Sequence, residues 1–266
     1  MTALPRLMVA PNGARRVKSD HPAIPLTLPE IIETARDCAA AGADGMHLHL
    51  RDAAGRHLLD AGLYREALGE LQSALPGLVV QITTEAVGIY DAPHQRHVAL
   101  HSGATLVSAA LREMTHQTED AMATAFYLSC AEQGIAVQHI LYDTSDFDLL
   151  TRLLPENLLR DPGLQLIFVL GRYSRDQESA PSDLVPFTKR LSDVNPEADW
   201  AVCAFGRGET ACLVEAHKRG GKLRVGFENS LWHGDGRQAT DNAERVRDVL
   251  RACGQHGDAI ATREGG

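Results

Sequence analysis

No run of 18 or more apolar residues occurs in the 266-residue chain, so no transmembrane helix is expected. The first residues, MTALPRLMVAPNGARR, lack a charged segment leading into a long apolar stretch, and no secretory signal is expected. The five cysteines (Cys38, Cys130, Cys203, Cys212 and Cys253) are odd in number and widely spaced, with no CxxC pair. That pattern argues against a disulfide framework and fits reduced thiols in a cytoplasmic protein. There is no basic cluster, and the formal charge is −9. Nucleic acid is therefore not expected as a partner, because phosphate binding needs concentrated Lys and Arg, and anionic lipid is disfavoured for the same reason. No Pro/Ser-rich linker, internal repeat or low-complexity segment appears. No Gly-rich phosphate cradle marks a nucleotide or CoA site.

The residues present describe an ordinary soluble globular chain: 44% hydrophobic and 23% charged. Its length suits one domain over residues 1–266 with a large buried core. Eight short runs rich in Val, Ile and Leu alternate with segments of helical period. They fall at residues 6–10, 46–50, 78–83, 105–109, 136–142, 164–170, 200–205 and 223–227. Near-continuous apolar strands separated by helices predict a parallel sheet covered on both faces, and eight such units predict a closed (β/α)₈ TIM barrel.

Helix ends support this reading. Thr27-Leu28-Pro29-Glu30 has the form of a capping box, followed by the apolar stripe Ile31, Ala35, Cys38 and a stop at Gly42. The last helix is expected to open at Asp241 and to bury Val246, Val249, Leu250 and Cys253. Residues 173–186, with two prolines and mixed charge, read as a long loop. The polar tail after Gly254 reads as loosely held.

Barrel active sites gather at the C-terminal ends of the strands. The second run ends Met46-His47-Leu48-His49-Leu50-Arg51-Asp52, and strand alternation turns His47 and His49 to one face, with Arg51 continuing the row. Two imidazoles can share a metal but do not complete a site. The eighth run ends Arg224-Val225-Gly226-Phe227-Glu228-Asn229, one strand away across a closed barrel. His47, His49 and Glu228 together have the donor set of a catalytic zinc centre, and Arg224 shares a face with Glu228. The third run ends Thr83-Thr84-Glu85, where hydroxyls suit a carboxylate and Glu85 could act as a base or form an ion pair. Ser108 closes the fourth run, with Glu113 shortly after. His139, Tyr142 and Asp143 crowd the fifth, where His139 reads as a core residue. Cys203 and Phe205 read as packing, and residues 206–209 as a turn entering a helix.

Taken together, APNGAR, HLHLRD, QITTEAVG, FVLGRY and GGKLRVGFEN resemble the β-keto acid cleavage enzymes along nearly the whole chain. That family includes 3-keto-5-aminohexanoate cleavage enzyme. The resemblance implies a (β/α)₈ barrel, usually a homotetramer, which condenses a β-keto acid with acetyl-CoA to give acetoacetate and a new acyl-CoA. It implies Zn²⁺ on His47, His49 and Glu228, an arginine near the reacting centre at Arg224, and keto-acid contacts at Thr83 and Ser108, with Thr84 and Asn229 beside them. A β-keto acid can chelate such a metal, which favours the enolate left when C2 loses a proton.

Three positions depart from the characterised aminohexanoate enzyme. Asn229 stands where that enzyme has an aspartate, so another group must take the proton; Glu85, a glycine there, is the expected base and Asp143 the second choice. Arg15 and Ile140 replace two glutamates that could meet an ammonium group, so the expected acyl group is neutral or anionic. The competing readings are a metal-dependent barrel hydrolase and a non-catalytic metabolite-binding barrel.

Overall fold

In this computed structural model, residues 2–254 are described, and the polar tail beyond Gly254 lies outside them. The chain begins with β1 (Leu7–Val9), α1 (Leu28–Ala40) and β2 (Gly45–Leu48). A small hairpin, β3 (Leu50–Arg51) with β4 (His57–Leu58), precedes α2 (Ala61–Ala74) and β5 (Val79–Ile82). Then come α3 (Ala92–His101), β6 (Leu106–Ala110), α4 (Leu111–Met114), α5 (Asp120–Glu132) and β7 (Ala136–Leu141). After α6 (Asp146–Leu153) and α7 (Glu156–Leu159), β8 (Gln165–Leu170) is followed by a 3₁₀ turn (Pro181–Asp183) and α8 (Leu184–Val194). The described chain ends with β9 (Asp199–Ala204), α9 (Glu209–Lys218), β10 (Lys222–Val225) and α10 (Asn242–Ala252).

Eight of these strands close a parallel barrel in the order β1-β10-β9-β8-β7-β6-β5-β2. β1 pairs with both β10 and β2, so His47 on β2, His49 just past its end and Glu228 just past the end of β10 flank β1. All eight expected runs form barrel strands, with ends within one or two residues of those read from the sequence.

Alternation along each strand sorts the core. Outward residues such as Met46, Leu48, Ile82, Leu223 and Val225 join the shell between strands and helices. Inward residues Met8, Leu106, Ala136, Ile167 and Ala201 form a separate apolar plug inside the barrel. Above that plug the inward row becomes polar, with Gln81 and Gln138 both buried. Barrel interiors are packed in layers, so this change of polarity sets the floor of the site at the strands' C-terminal ends.

Capping fixes the helices that hold the strands. Asp60, Asp91 and Asp241 each accept an N–H from the first turn of their helix, at 2.7–2.9 Å. Each such cap is worth about 1 kcal/mol. Glu30 reaches back to the N–H groups of Leu26 and Thr27 at 2.9 and 3.0 Å, and Ile31, Ala35 and Cys38 form the buried stripe. One boundary differs from expectation. Pro186 sits in the first turn of α8 rather than in a loop, since that turn needs no N–H from it. Among the described residues, no helix is long and apolar enough to cross a membrane.

Candidate active site

At the end of β10 the chain turns at Gly226, whose φ is +141°. A Cβ there would lie 2.4 Å from the Ala10 carbonyl oxygen, so glycine is required for this approach. The turn lets Glu228 N–H donate to Ala10 O at 3.0 Å and sends the Glu228 side chain across the end of β1. There it lies against Gly13, at φ +59°, where a Cβ would come within 2.5 Å of Glu228 Cγ. Arg51 holds this same loop by donating to the carbonyls of Asn12, Gly13 and Arg16. Its side chain clamps the β1–α1 loop, although alternation would have continued it into the histidine row.

His47 and His49 bring their Nε2 atoms to 3.0 Å from each other. Glu228 Oε2 lies 3.8 Å from His47 Nε2, and Glu228 Oε1 lies 3.7 Å from His49 Nε2. Gln81 donates its amide N–H to Gln138 at 2.9 Å and so presents Oε1 to His47 Nδ1 at 2.8 Å. That contact puts the His47 proton on Nδ1 and leaves a lone pair on Nε2. Burial holds both imidazoles well below their ordinary pKa; Arg224 reinforces this for His47, and His47 itself does so for His49.

Two neutral imidazoles and a carboxylate, one donor atom from each within 4.8 Å of the others, fit a divalent ion that accepts N and O ligands. Glu228 Oε2 is buried without a hydrogen-bond partner, as a metal-facing oxygen should be. Arg224 is 5% exposed, with Nη2 at 3.6 Å from Glu228 Oε1 and with Nε and Nη1 unpartnered. Burial opposes its charge, but the acidic groups around it, Cys203 first and then Glu228, outweigh this and raise its pKa.

The three donors and Arg224 line a cavity of about 160 Å³ at the C-terminal end of the barrel. It is also lined by Thr83, Glu85, Ile140, Tyr142, Val169, Arg172 and Phe205, with the exposed Arg15 and Gln177 and the half-buried Arg16 at its mouth. Glu85 hangs from a well-held backbone: its N–H donates to Thr83 Oγ1 at 2.9 Å, and its carbonyl meets His57 Nε2 at 2.8 Å. Burial and the facing Glu228 push its carboxyl up to about 7, against the pull of Arg172. Arg172 Nη2 lies 3.6 Å from Glu85 Oε1, and the guanidinium is stacked 5.0 Å from the Phe205 ring centre. Phe205, expected to serve packing alone, is a wall of the cavity.

Other residues singled out from the sequence lie elsewhere. Asp143 is half exposed, bound to Ser145 and ion-paired with Arg112, and it does not line the cavity. Thr84 donates to the Ser108 carbonyl at 2.8 Å, tying β5 to β6, while Thr83 faces the cavity. Ser108 Oγ and both amide atoms of Asn229 are buried and unpartnered behind the lining. His139 faces outward against Tyr127, with its pKa pushed down to about 3 by burial. Gln81, Gly13 and Arg172 had no readable signal of their own. Gln81, Gly13 and Arg172 were visible only inside the strings QITTEAVG, APNGAR and FVLGRY, and Arg172 begins a loop whose course the sequence does not encode.

Comparison with known proteins is consistent with this geometry. The 3-keto-5-aminohexanoate cleavage enzyme of Fusobacterium nucleatum is 29% identical over 257 residues, covering 94% of this chain and 91% of that one. The 3-oxoadipate:acetyl-CoA acetyltransferase of Cupriavidus necator is 23% identical, over 96% of this chain and 90% of the relative. Among solved structures, the complex of ObcA with oxaloacetate shares the fold with a TM-score of 0.64 at 18% identity. That match covers 90% of this chain, which spans just under two thirds of the ObcA chain's length. The profile of the beta-keto acid cleavage enzyme family matches residues 6–265, and the chain belongs to that family.

Proposed function

We propose that this chain, folded as a single barrel domain over residues 1–266, is a zinc-dependent enzyme that condenses a β-keto acid with acetyl-CoA. Its products are acetoacetate and a new acyl-CoA. The observation that carries this reading is the convergence of His47, His49 and Glu228 beside the two unpartnered buried nitrogens of Arg224. The names of the relatives, which include β-keto acid:acetyl-CoA transferases, support it.

In this reading His47, His49 and Glu228 hold the Zn²⁺, which when bound supplies Lewis-acid stabilisation of the enolate oxygen. Arg224 binds the keto acid through its carboxylate, a charge-assisted pairing in a buried site. Thr83 faces the same cavity and is placed to meet a substrate oxygen, whereas Ser108 and Asn229 lie buried behind the lining and back the site without lining it. Glu85 takes the proton from C2; burial raises its carboxyl above the ordinary range, which strengthens it as a base. The resulting C2 carbanion attacks the acetyl thioester and expels CoA thiolate. The thiolate then adds to the original ketone, the bond from that carbon to C2 breaks, and C2 recovers the proton as acetoacetate leaves. Asp143, held by Ser145 and Arg112 outside the cavity, has no part in these steps. We assign the protein to the cytoplasm and to a homotetramer, the assembly usual for the family it belongs to.

The test is a screen of zinc-loaded protein with acetyl-CoA and a panel of β-keto acids, read by mass spectrometry of the CoA products. A new acyl-CoA appearing together with acetoacetate supports the proposal. Absence of any CoA product from metal-loaded protein overturns it in favour of hydrolysis or ligand sensing.

A further inference from the structure

The relatives named above act on keto acids with different ends, one carrying an amine and one a second carboxylate, and similarity alone does not choose between them. The charges of the cavity do. Four arginines line it, Arg15, Arg16, Arg172 and Arg224, against two carboxylates, Glu85 and Glu228. Glu228 faces the histidines and Arg224. Arg16 donates to the carbonyls of Phe227 and Asn229 and is committed there. Glu113, which does not line the cavity, is occupied by the Ala86 N–H and Gln95. Arg15 and Arg172 are left facing the single carboxylate of Glu85.

Arg172 is built to receive an anion. Its side chain is only 16% exposed, and the Phe205 ring fixes the plane of its guanidinium. Among the described residues it donates no hydrogen bond, and its one ion pair, to Glu85, is loose at 3.6 Å. When Glu85 accepts the substrate proton, even that partner becomes neutral. The cavity also has apolar lining for a methylene chain, in Ile140, Val169 and Phe205. No acid besides Glu85 and Glu228 lines the cavity to meet an ammonium group.

Resting on the proposed transferase reading, we infer that Arg172 is a specificity-determining residue that binds a second carboxylate at the far end of the acyl chain, so that the substrates are β-keto dicarboxylic acids. Arg224 takes the carboxylate next to C2, the methylene chain lies on the apolar wall, and Arg172 takes the distal carboxylate. The phosphates of acetyl-CoA are the other anions that reach this cavity. They suit Arg15, which is exposed at the rim, better than the largely buried Arg172.

The test compares 3-oxoadipate with 3-oxohexanoate, two six-carbon keto acids that differ only in a terminal carboxylate or methyl group. The zinc-loaded enzyme is assayed with acetyl-CoA. The wild type is expected to prefer 3-oxoadipate in kcat/KM by about tenfold or more, the range of a hydrogen bond to a charged group. In Arg172→Gln the preference should fall to within about threefold, through a higher KM for 3-oxoadipate, and Arg172→Lys should recover part of it. In both variants the KM for acetyl-CoA should stay at the wild-type value. Turnover of both acids by the wild type without preference would overturn the inference and leave the transferase reading standing. So would an Arg172→Gln enzyme that loses both acids equally, since Arg172 would then act only on Glu85, or one whose KM rises for acetyl-CoA alone. No CoA product from either acid would overturn the transferase reading itself, and this inference with it.

Discussion

On the β1, β2 and β10 side of the cavity, His47, His49 and Arg224 are buried, Glu228 is 13% exposed, and most of these side chains are held from behind. His47 is fixed by Gln81, which is fixed by Gln138. Glu228 is pressed against Gly13, whose loop is clamped by Arg51. On the facing wall, Glu85 has a firmly held backbone, but its carboxylate meets Arg172 at a loose 3.6 Å from a long loop. The first wall is organised before any substrate arrives, as a metal centre must be. The second leaves charges free to rearrange around what binds. On the proposed function, the first wall carries the chemistry common to many keto acids and the second the choice among them.

The comparison can be broken from either side. The largest effect is expected from His49→Ala, which removes one of the three converging donors. Bound zinc, measured by elemental analysis, should be lost, and turnover should drop by about a thousandfold or more. Retention of full activity without metal would end the account of that wall. Next is Glu85→Gln, which should lower kcat by about 10²–10⁴-fold while leaving zinc bound. Its pH profile carries more information. The Glu85 carboxyl is raised to about 7, so it is protonated and inactive as a base below that pH, and the wild-type kcat/KM should rise with pH toward it. Zinc at Glu228 removes the main charge repulsion and moves this limb to lower pH. In the Gln variant the limb should vanish.

Gln81→Met tests whether the backing of His47 matters. Zinc affinity should weaken by about 10–100-fold with the fold intact, as measured by chelator competition. Gly13→Ala should act in the same direction by about tenfold, because its Cβ displaces Glu228 and its φ is unfavourable to alanine. The smallest effect belongs to Asp143→Asn. Its exposed pair with Arg112 is worth at most about 1 kcal/mol, and turnover should change by less than about twofold. A large loss there would reassign the base.

These expectations also mark what could be read from the sequence. The eight apolar runs gave the barrel because buried parallel strands leave an unbroken hydrophobic signal. His47, His49, Arg224 and Glu228 were legible because strand periodicity and closure carry them to one place. Arg51 was misplaced by the same periodicity, since β2 ends at Leu48 and the chain peels away into a hairpin. Phe205 was read as packing and Arg172 was not singled out, because their contact depends on the path of residues 171–180, which no local pattern encodes. Asn229, read as a lost base, lies fully buried behind Glu228, a depth that spacing cannot report.

The central claim is that acetyl carbon and keto-acid carbon are exchanged in this cavity. Acetyl-CoA labelled with carbon-13 in both acetyl carbons, incubated with zinc-loaded enzyme and an unlabelled β-keto acid, tests it directly. The account predicts that both labels appear in the ketone and methyl carbons of acetoacetate, with none in the new acyl-CoA. Label recovered as free acetate, or left in unreacted acetyl-CoA while the keto acid is consumed, would contradict it.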